Sequence, residues 1–299
     1  MPMIVGVDAG GSATDVVAER NDGTRVAASG EPVNVRATGV ELAADRIVNA
    51  VEAAAKGVPD ALVVGAAGAG VEVLRAALRV ALQVRLPRTK IAIEDDAEIA
   101  LRAGTGGDGI VLISGTGSIA YAHIGAIRAR SGGYGYLLGD DGSGFALGAA
   151  AAKALLRHYD GRAPREPWFD DIERALQERG AQGVLSALYD QREPVKRIAS
   201  LAPLVLAAAS RGERGAGKIV QAAALELFEL IKSVVRQVDA GTSDLPLVFS
   251  GGLFSGNSML TYLVETRVSN EFPDLVPVKN GPSPATGALE LARGLLKRA

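Results

Sequence analysis

The sequence predicts an α/β protein of two similar domains, each a sheet with helices packed on its faces, enclosing a cleft. Three observations carry this expectation. Apolar strand-like runs alternate with amphipathic helical runs along the chain; a strand, glycine turn, strand pattern near the N-terminus recurs after residue 109; and the segment "GTGGDG" at 104–109 separates the two occurrences.

Taken in order, residues 4–8, 14–19 and 25–29 read as three strands, a meander joined by turns at "GG" and "NDG" with its core face set by alternation. An amphipathic helix follows over about 39–56, then a buried strand "ALVVGAAG" at 61–68, a helix at 71–83, a strand "TKIAIED" at 89–95 and a helix opening at 96–103. After "GTGGDG", the best candidate for an interdomain hinge, "IVLISGTGSIAYAHIGAIRARSGG" again reads strand, glycine turn, strand, turn, strand. Placing Ile4 on Ile110 sets Asp8 on Ser114, Gly11 on Gly117 and Ser12 on Ser118, the mark of an internal repeat. The second half continues with a long alanine-rich helix at about 142–158, a mostly helical region through 240, a strand "LPLVFSG" at 245–251, a helix at about 257–271 and a closing helix from about 285. The expected domains are 1–105, joined by the closing helix 285–299, and 106–284 with a helical insertion.

Composition narrows the chemistry. With 48% hydrophobic and 22% charged residues in 299, the chain can bury a substantial core. A net charge of -2, with no Lys/Arg cluster, offers no field for a phosphodiester backbone, so nucleic acid is not expected as a partner. The opening "MPMIVGVDAG" lacks the basic and apolar regions of a signal peptide, and "LAPLVLAAA" at 201–209 is too short to span a bilayer, so a cytoplasmic protein without membrane attachment is expected. The absence of cysteine excludes disulfides, thiolate metal sites and cysteine nucleophiles. The two histidines, His123 in a strand-like run and His158 at the polar end of a helix, have no partner at metal-ligand spacing and read as structural. Any general base is then expected to be a carboxylate.

Two glycine turns carry the functional signal. In "DAGGS", Gly10 and Gly11 let a phosphate approach the backbone N–H groups, Ser12 adds a hydroxyl and Asp8 can hold Mg2+ through water. In "SGTGS" at 114–118, Gly115 and Gly117 allow the same approach while Thr116 and Ser118 supply hydroxyls. Each turn alone also fits a plain hairpin; at matching positions of two similar units they point to one polyphosphate. A third turn, "FSGGLFSGN" at 249–257, lies between strand and helix, where N–H groups gather at a helix start.

The ordered set "GVDAGGSATD", "IEDDAEIAL", "LISGTGSIAYA", "GGYGYLLGDDGSGFALG" and "VFSGGLFSGN" resembles the BadF/BcrA-type branch of the actin-like ATPase and sugar kinase superfamily, and within it the N-acetylglucosamine kinases. The resemblance runs from residue 4 to the closing "PSPATGALELA". It implies two ribonuclease-H-like domains that bind ATP, Mg2+ and a sugar, and a small-molecule kinase acting as a homodimer. "DAGGS" resembles the first phosphate motif, "SGTGS" the second, and "SGGLFSGN" the adenosine motif with Gly251, Gly252 and Ser255. Asp96 matches the family's catalytic base, and a carboxylate ending a strand can take the proton of an attacking sugar hydroxyl; helix capping is the other role open to the Asp95-Asp96 pair. Asn34 resembles the sugar-binding asparagine after the third strand, and "GGYGYLLGDDGS" the sugar loop, implicating Gly133, Tyr134, Gly135 and Asp140. In animal-type N-acetylglucosamine kinases an asparagine follows "GTGS"; here the position is Ile119, which leaves glucosamine, glucose and N-acetylmuramic acid beside N-acetylglucosamine as acceptors for transfer to the 6-hydroxyl. An ATPase switch or activator of the same superfamily is the alternative class.

Overall fold

The computed structural model describes residues 2–189, 193–238, 244–256, 258–279 and 281–297. The expected helical reach to 240 and the helix start at 257 run onto residues outside that set. In chain order the first half contains β1 (Ile4–Ala9), β2 (Thr14–Glu19), β3 (Arg25–Gly30), α1 (Val35–Thr38), α2 (Val40–Ala55), β4 (Ala61–Ala66), α3 (Glu72–Arg85), β5 (Lys90–Glu94) and α4 (Asp96–Thr105). The second contains β6 (Gly109–Ser114), β7 (Ser118–Ile124), β8 (Ile127–Gly132), α5 (Gly144–Tyr159), α6 (Phe169–Leu176), α7 (Gly180–Tyr189), α8 (Pro194–Ala199), α9 (Ala202–Ser210) and α10 (Arg214–Val238). β9 (Leu245–Ser250), α11 (Met259–Glu271), β10 (Leu275–Val278) and α12 (Pro284–Lys297) follow.

The chain divides into two compact units, Met1–Gly109 with Gly281–Ala299, and Ile110–Asn280. Each contains one five-stranded sheet, ordered β3-β2-β1-β4-β5 in the first and β8-β7-β6-β9-β10 in the second. These are the same order, strand for strand. In the first sheet β1 pairs antiparallel with β2 and parallel with β4, which is parallel to β5; in the second β7 and β8 are antiparallel, while β6, β9 and β10 run parallel. The repeat of sequence is thus a repeat of topology.

In the first unit alternation along β1 sends Val5 and Val7 to the core shared with α2 and α3, and Ile4 to a smaller core with Val63, Ile99 and Leu289. β4, covered on both faces, is buried at every residue, as a central parallel strand must be. On the second face α12 approaches backbone to backbone. A Cβ on Gly6 would stand 2.2 Å from the Leu289 nitrogen, and one on Gly287 2.1 Å from the Ile99 carbonyl oxygen. Only glycine permits such contact, and it presses α12 onto both β1 and α4.

The second unit has one core, in which the 25-residue α10 buries Val220, Leu227, Ile231 and Val234 along one stripe. Trp168 and Phe169, both 1% exposed, anchor α6 in the same core. His123 Nε2 lies 3.1 Å from the Gly125 carbonyl, and the His158 ring lies 5.6 and 5.9 Å from those of Tyr159 and Phe169; both histidines are packing groups. Among the described residues no helix is long and apolar enough to cross a membrane.

Three local features depart from the pattern read in the sequence. The β1–β2 connection spans residues 10–13, closed by the Gly10 N–H donating to the Ala13 carbonyl at 2.9 Å, and neither Gly10 nor Gly11 has the positive φ of a two-residue Gly-Gly hairpin. α4 runs through Gly104 and Thr105 and is closed by Gly106 at φ 69, so the first part of "GTGGDG" is helix end. β10, "LVPV", escapes detection because it is four residues long and contains Pro277, which an edge strand tolerates.

Candidate active site

β1, β4 and β5 run parallel, so their C-terminal ends share one edge of the first sheet. Asp8 lies near the end of β1, directly opposite Asp15 on β2, and the glycine turn follows it. Asp95 and Asp96 follow β5. Asp95 is the N-cap of α4 and accepts the Ala97 N–H at 3.2 Å, while Asp96 opens the helix and accepts the same N–H at 2.9 Å. Of the two roles weighed for the pair, capping falls to Asp95.

Asp8 and Asp96 are strongly perturbed. Burial, then the charge of Asp15, pushes Asp8 up to about 7. Asp96 is pushed well above the usual carboxylate range, chiefly by burial, then by its hydrogen bond to Asp95 and by the charges of Asp95 and Asp8. The charge of Asp8 thus reaches Asp96 across the sheet edge. Strongly perturbed carboxylates gathered at one strand-end edge make it the candidate functional site.

Asn34 caps α1, its Oδ1 accepting the Ala37 N–H at 3.3 Å. The Val35 N–H donates to the Ala67 carbonyl just beyond β4, which sets this cap at the same edge. Ser12 is exposed in the turn.

In the second unit three motifs meet beyond β6 and β9. The Gly144 N–H donates to the Gly115 carbonyl at 2.7 Å, and a Cβ on Gly251, held at φ 95, would stand 2.4 Å from the Ser114 carbonyl oxygen. Thr116 accepts the Phe145 N–H through its carbonyl at 3.3 Å. Asp140, at φ 58, lies against Gly117, where a Cβ would stand 2.8 Å from its carboxylate. Burial pushes the Asp140 carboxyl up, and N–H groups of Ser118 and Gly135 donating to it hold it partly down. The start of the expected sugar loop is attached to the same turn, Gly133 N–H donating to the Ser118 carbonyl at 2.9 Å. Tyr134 stands 69% exposed beyond it.

Three hydroxyls serve the loops themselves. Ser118 donates to the Asp141 carbonyl at 2.7 Å, and the residue is only 3% exposed. Ser255 donates to the Gly252 carbonyl at 2.6 Å. Ser114, which the sequence did not single out for a role, donates to the Gly142 carbonyl at 3.0 Å. Its position matches Asp8 in the repeat, so the carboxylate of one unit is replaced by a loop tie in the other. Asn257, the last residue of the third motif, lies outside the described residues.

The glycines of the three turns separate into two kinds. Gly117 and Gly251 are needed by the fold, since a Cβ would collide. Gly11, Gly115 and Gly252 have no positive φ, and a Cβ on any of them would meet nothing within 4 Å. Neither backbone sign nor packing accounts for the missing side chain there. For Mg2+, Asp8 offers a hard oxygen; its raised proton affinity comes from burial first and the charge of Asp15 second, and a cation would offset the second. Among the described residues no group of three His, Cys, Asp or Glu is arranged to cage a metal, and Mg2+ commonly uses one or two carboxylates with phosphate and water oxygens.

Two like-ordered mixed sheets, each with a glycine turn after its first strand, define the fold of the actin-like ATPases and sugar kinases. The model of the BadF/BadG/BcrA/BcrD ATPase family matches residues 5–292, and the chain belongs to that family. An N-acetylmuramic acid/N-acetylglucosamine kinase of Clostridium acetobutylicum is 34% identical over 206 residues, 68% of this chain and 67% of that protein. The N-acetyl-D-glucosamine kinase of Dictyostelium discoideum is 27% identical over 310 residues, 97% of each. Among solved structures, a Chromobacterium violaceum protein provisionally named an N-acetylglucosamine kinase has a TM-score of 0.78 at 24% identity, covering 98% of this chain and 99% of its own. A ROK family glucokinase from Streptomyces griseus, in complex with glucose and AMPPNP, has a TM-score of 0.62 at 18% identity over 98% and 99%. These structural likenesses bear on the fold.

Proposed function

We propose that this protein is an ATP-dependent sugar kinase that transfers the γ-phosphoryl group to the 6-hydroxyl of an amino sugar, N-acetylglucosamine first. The observation that carries the reading is Asp96, a carboxylate of raised proton affinity opening α4 at the strand-end edge that also holds Asp8 and the Gly11 turn. Asp96 accepts the proton of the attacking hydroxyl, and its environment retains that proton once taken. Backbone N–H groups at Gly11, Gly115 and Gly252 approach the nucleotide, and Asn34 and Asp140 hold sugar hydroxyls. Asp8 holds Mg2+, which when bound offsets phosphate charge. The protein works in the cytoplasm, where ATP is supplied.

N-acetylmuramic acid is the second reading, favoured by the paired sugars in the name of the Clostridium relative. Ile119 keeps glucosamine and glucose as alternative acceptors: it is 9% exposed and would lie 3.0 Å from a Cβ on Gly133, so it packs under the loop and offers an acetamido group no hydrogen bond. The test is ADP release from ATP with a panel of glucose, glucosamine, N-acetylglucosamine and N-acetylmuramic acid, with the phosphorylated carbon located by NMR. Strong stimulation by an N-acetylated sugar, with phosphate on carbon 6, is expected. Turnover indifferent to every sugar would overturn the proposal in favour of an ATPase switch.

A further inference from the structure

The single turn of α1 is tied into the strand-end edge of the first unit from both sides. The Val33 N–H donates to the Gly10 carbonyl at 2.9 Å and the Val35 N–H to the Ala67 carbonyl at 2.9 Å, while Val35 is 1% exposed in the core. A Cβ on Gly68, held at φ 79, would stand 3.1 Å from the Arg36 nitrogen. The backbone of Arg36 is thus fixed between the glycine turn after β1 and the loop after β4.

Of the three polar side chains on this turn, two serve the turn itself. Asn34 Oδ1 accepts the Ala37 N–H, and Thr38 Oγ1 accepts the Asn34 N–H at 3.2 Å. The third, Arg36, is exposed, and among the described residues no group accepts from its guanidinium. The acidic residues around it are already taken. Glu31 and Glu41, which flank α1 in the chain, pair with Arg46 at 2.7 Å and Arg85 at 2.9 Å, and Glu72, which opens α3, lies 3.9 Å from Arg75. Residues 32–40 and 61–71 contain no carboxylate at all.

An unpaired surface cation is ordinary; its place here is not. The same edge gathers Asp8, Asp95 and Asp96, whose charges repel an anionic acceptor. Arg36, two residues from Asn34, supplies the opposite charge, and a guanidinium grips a carboxylate with two parallel hydrogen bonds.

We propose that Arg36 is a specificity-determining residue of this site, its guanidinium receiving a carboxylate carried by the acceptor sugar. The inference rests on the sugar-kinase reading, and it gives the lactyl carboxylate of N-acetylmuramic acid a counter-charge within the first unit. A neutral sugar makes no use of that charge.

The experiment measures kcat and KM of the full chain for N-acetylmuramic acid, its methyl ester and N-acetylglucosamine, with ATP. Wild type is expected to favour the acid over the ester by about tenfold or more, and Arg36→Gln to lower the ratio of kcat/KM for the acid to that for N-acetylglucosamine by a similar factor, chiefly through KM. Arg36→Lys should keep part of the preference, since it retains the charge and loses the fork. Asn34→Ala, by contrast, should weaken both sugars together. High salt should narrow the wild-type preference and leave that of Arg36→Gln nearly as it is.

A wild type that does not favour the acid over its ester would overturn the proposal, as would an Arg36→Gln variant with the wild-type ratio. A raised KM for ATP in Arg36→Gln, with the sugar ratio unmoved, would assign the guanidinium to nucleotide phosphate and overturn it equally. Turnover with no sugar defeats the kinase reading and this inference together; turnover with a ratio indifferent to Arg36 defeats this inference alone.

Discussion

Gly287 lies against the carbonyl of Ile99 so closely that a Cβ would stand 2.1 Å from that oxygen. Through this contact the last helix fixes the height of α4, and Asp96 is the first residue of α4. Gly287→Ala is expected to push α4 away, destabilising the protein by about 3 kcal/mol or more because the neighbour is backbone and cannot rotate aside. A loss of transfer larger than the loss of folded protein, measured at a temperature where the variant remains folded, would show that the displacement reaches Asp96. Wild-type stability would refute the contact.

Asp96→Asn is expected to abolish phosphoryl transfer, by about 10²-fold or more, with nucleotide affinity near normal. Residual activity above about a tenth of wild type would remove Asp96 as base. The same variant is expected to melt higher at neutral pH, because the substitution removes a carboxyl whose ionisation is penalised by burial first and then by Asp95 and Asp8. Higher stability joined to lost activity is the signature of a group kept for chemistry.

The pH dependence of stability follows from Asp8. A carboxyl raised to about 7 binds its proton more readily in the folded than in the unfolded chain. Its ionisation therefore opposes folding, and the opposition grows as pH rises from the ordinary carboxylate range through about 7. Asp8→Asn should gain in melting temperature over wild type as pH is raised from about 5 to about 8, and added Mg2+ should stabilise wild type more than the variant. A difference in melting temperature that does not change with pH would sink this account.

The open glycines separate binding from folding. Gly11→Ala, Gly115→Ala and Gly252→Ala meet no atom within 4 Å and need no positive φ, so without ligand each should melt within about 2 °C of wild type. The rise in melting temperature on adding ATP should shrink in each, since ligand stabilisation follows affinity. Unaltered rises in all three would leave these glycines without a role in nucleotide binding.

Much of this was legible because it is local. Strand alternation, the glycine turns and the Asp95-Asp96 pair lie within a few residues of each other, and each element type leaves its own period. The repeated meander was readable because Ile4 and Ile110 begin the same series. Tertiary relations left weaker marks. That Ser118 would donate to the Asp141 carbonyl, or that Asp140 would lie against Gly117, depends on two loops meeting. Gly6, Gly65 and Gly287 read as ordinary glycines until the helices they admit are in place, a Cβ on Gly65 standing 2.2 Å from Ile99 Cδ1. β10 was missed because four residues with a proline carry almost no period.

The position of α12 has a consequence for synthesis. Ile4, Ala61 and Val63 present a face whose cover includes Leu289 and Ala292, and the whole second unit is translated in between. At roughly 5–20 residues per second, that face waits on the order of ten seconds on the ribosome while the second unit, contiguous in the chain, can collapse on its own core. The nascent protein is thus expected to mature in reverse, its C-terminal unit resisting protease before its N-terminal one, and the final helix acts as the latch by which the first part of the chain to emerge becomes the last to fold.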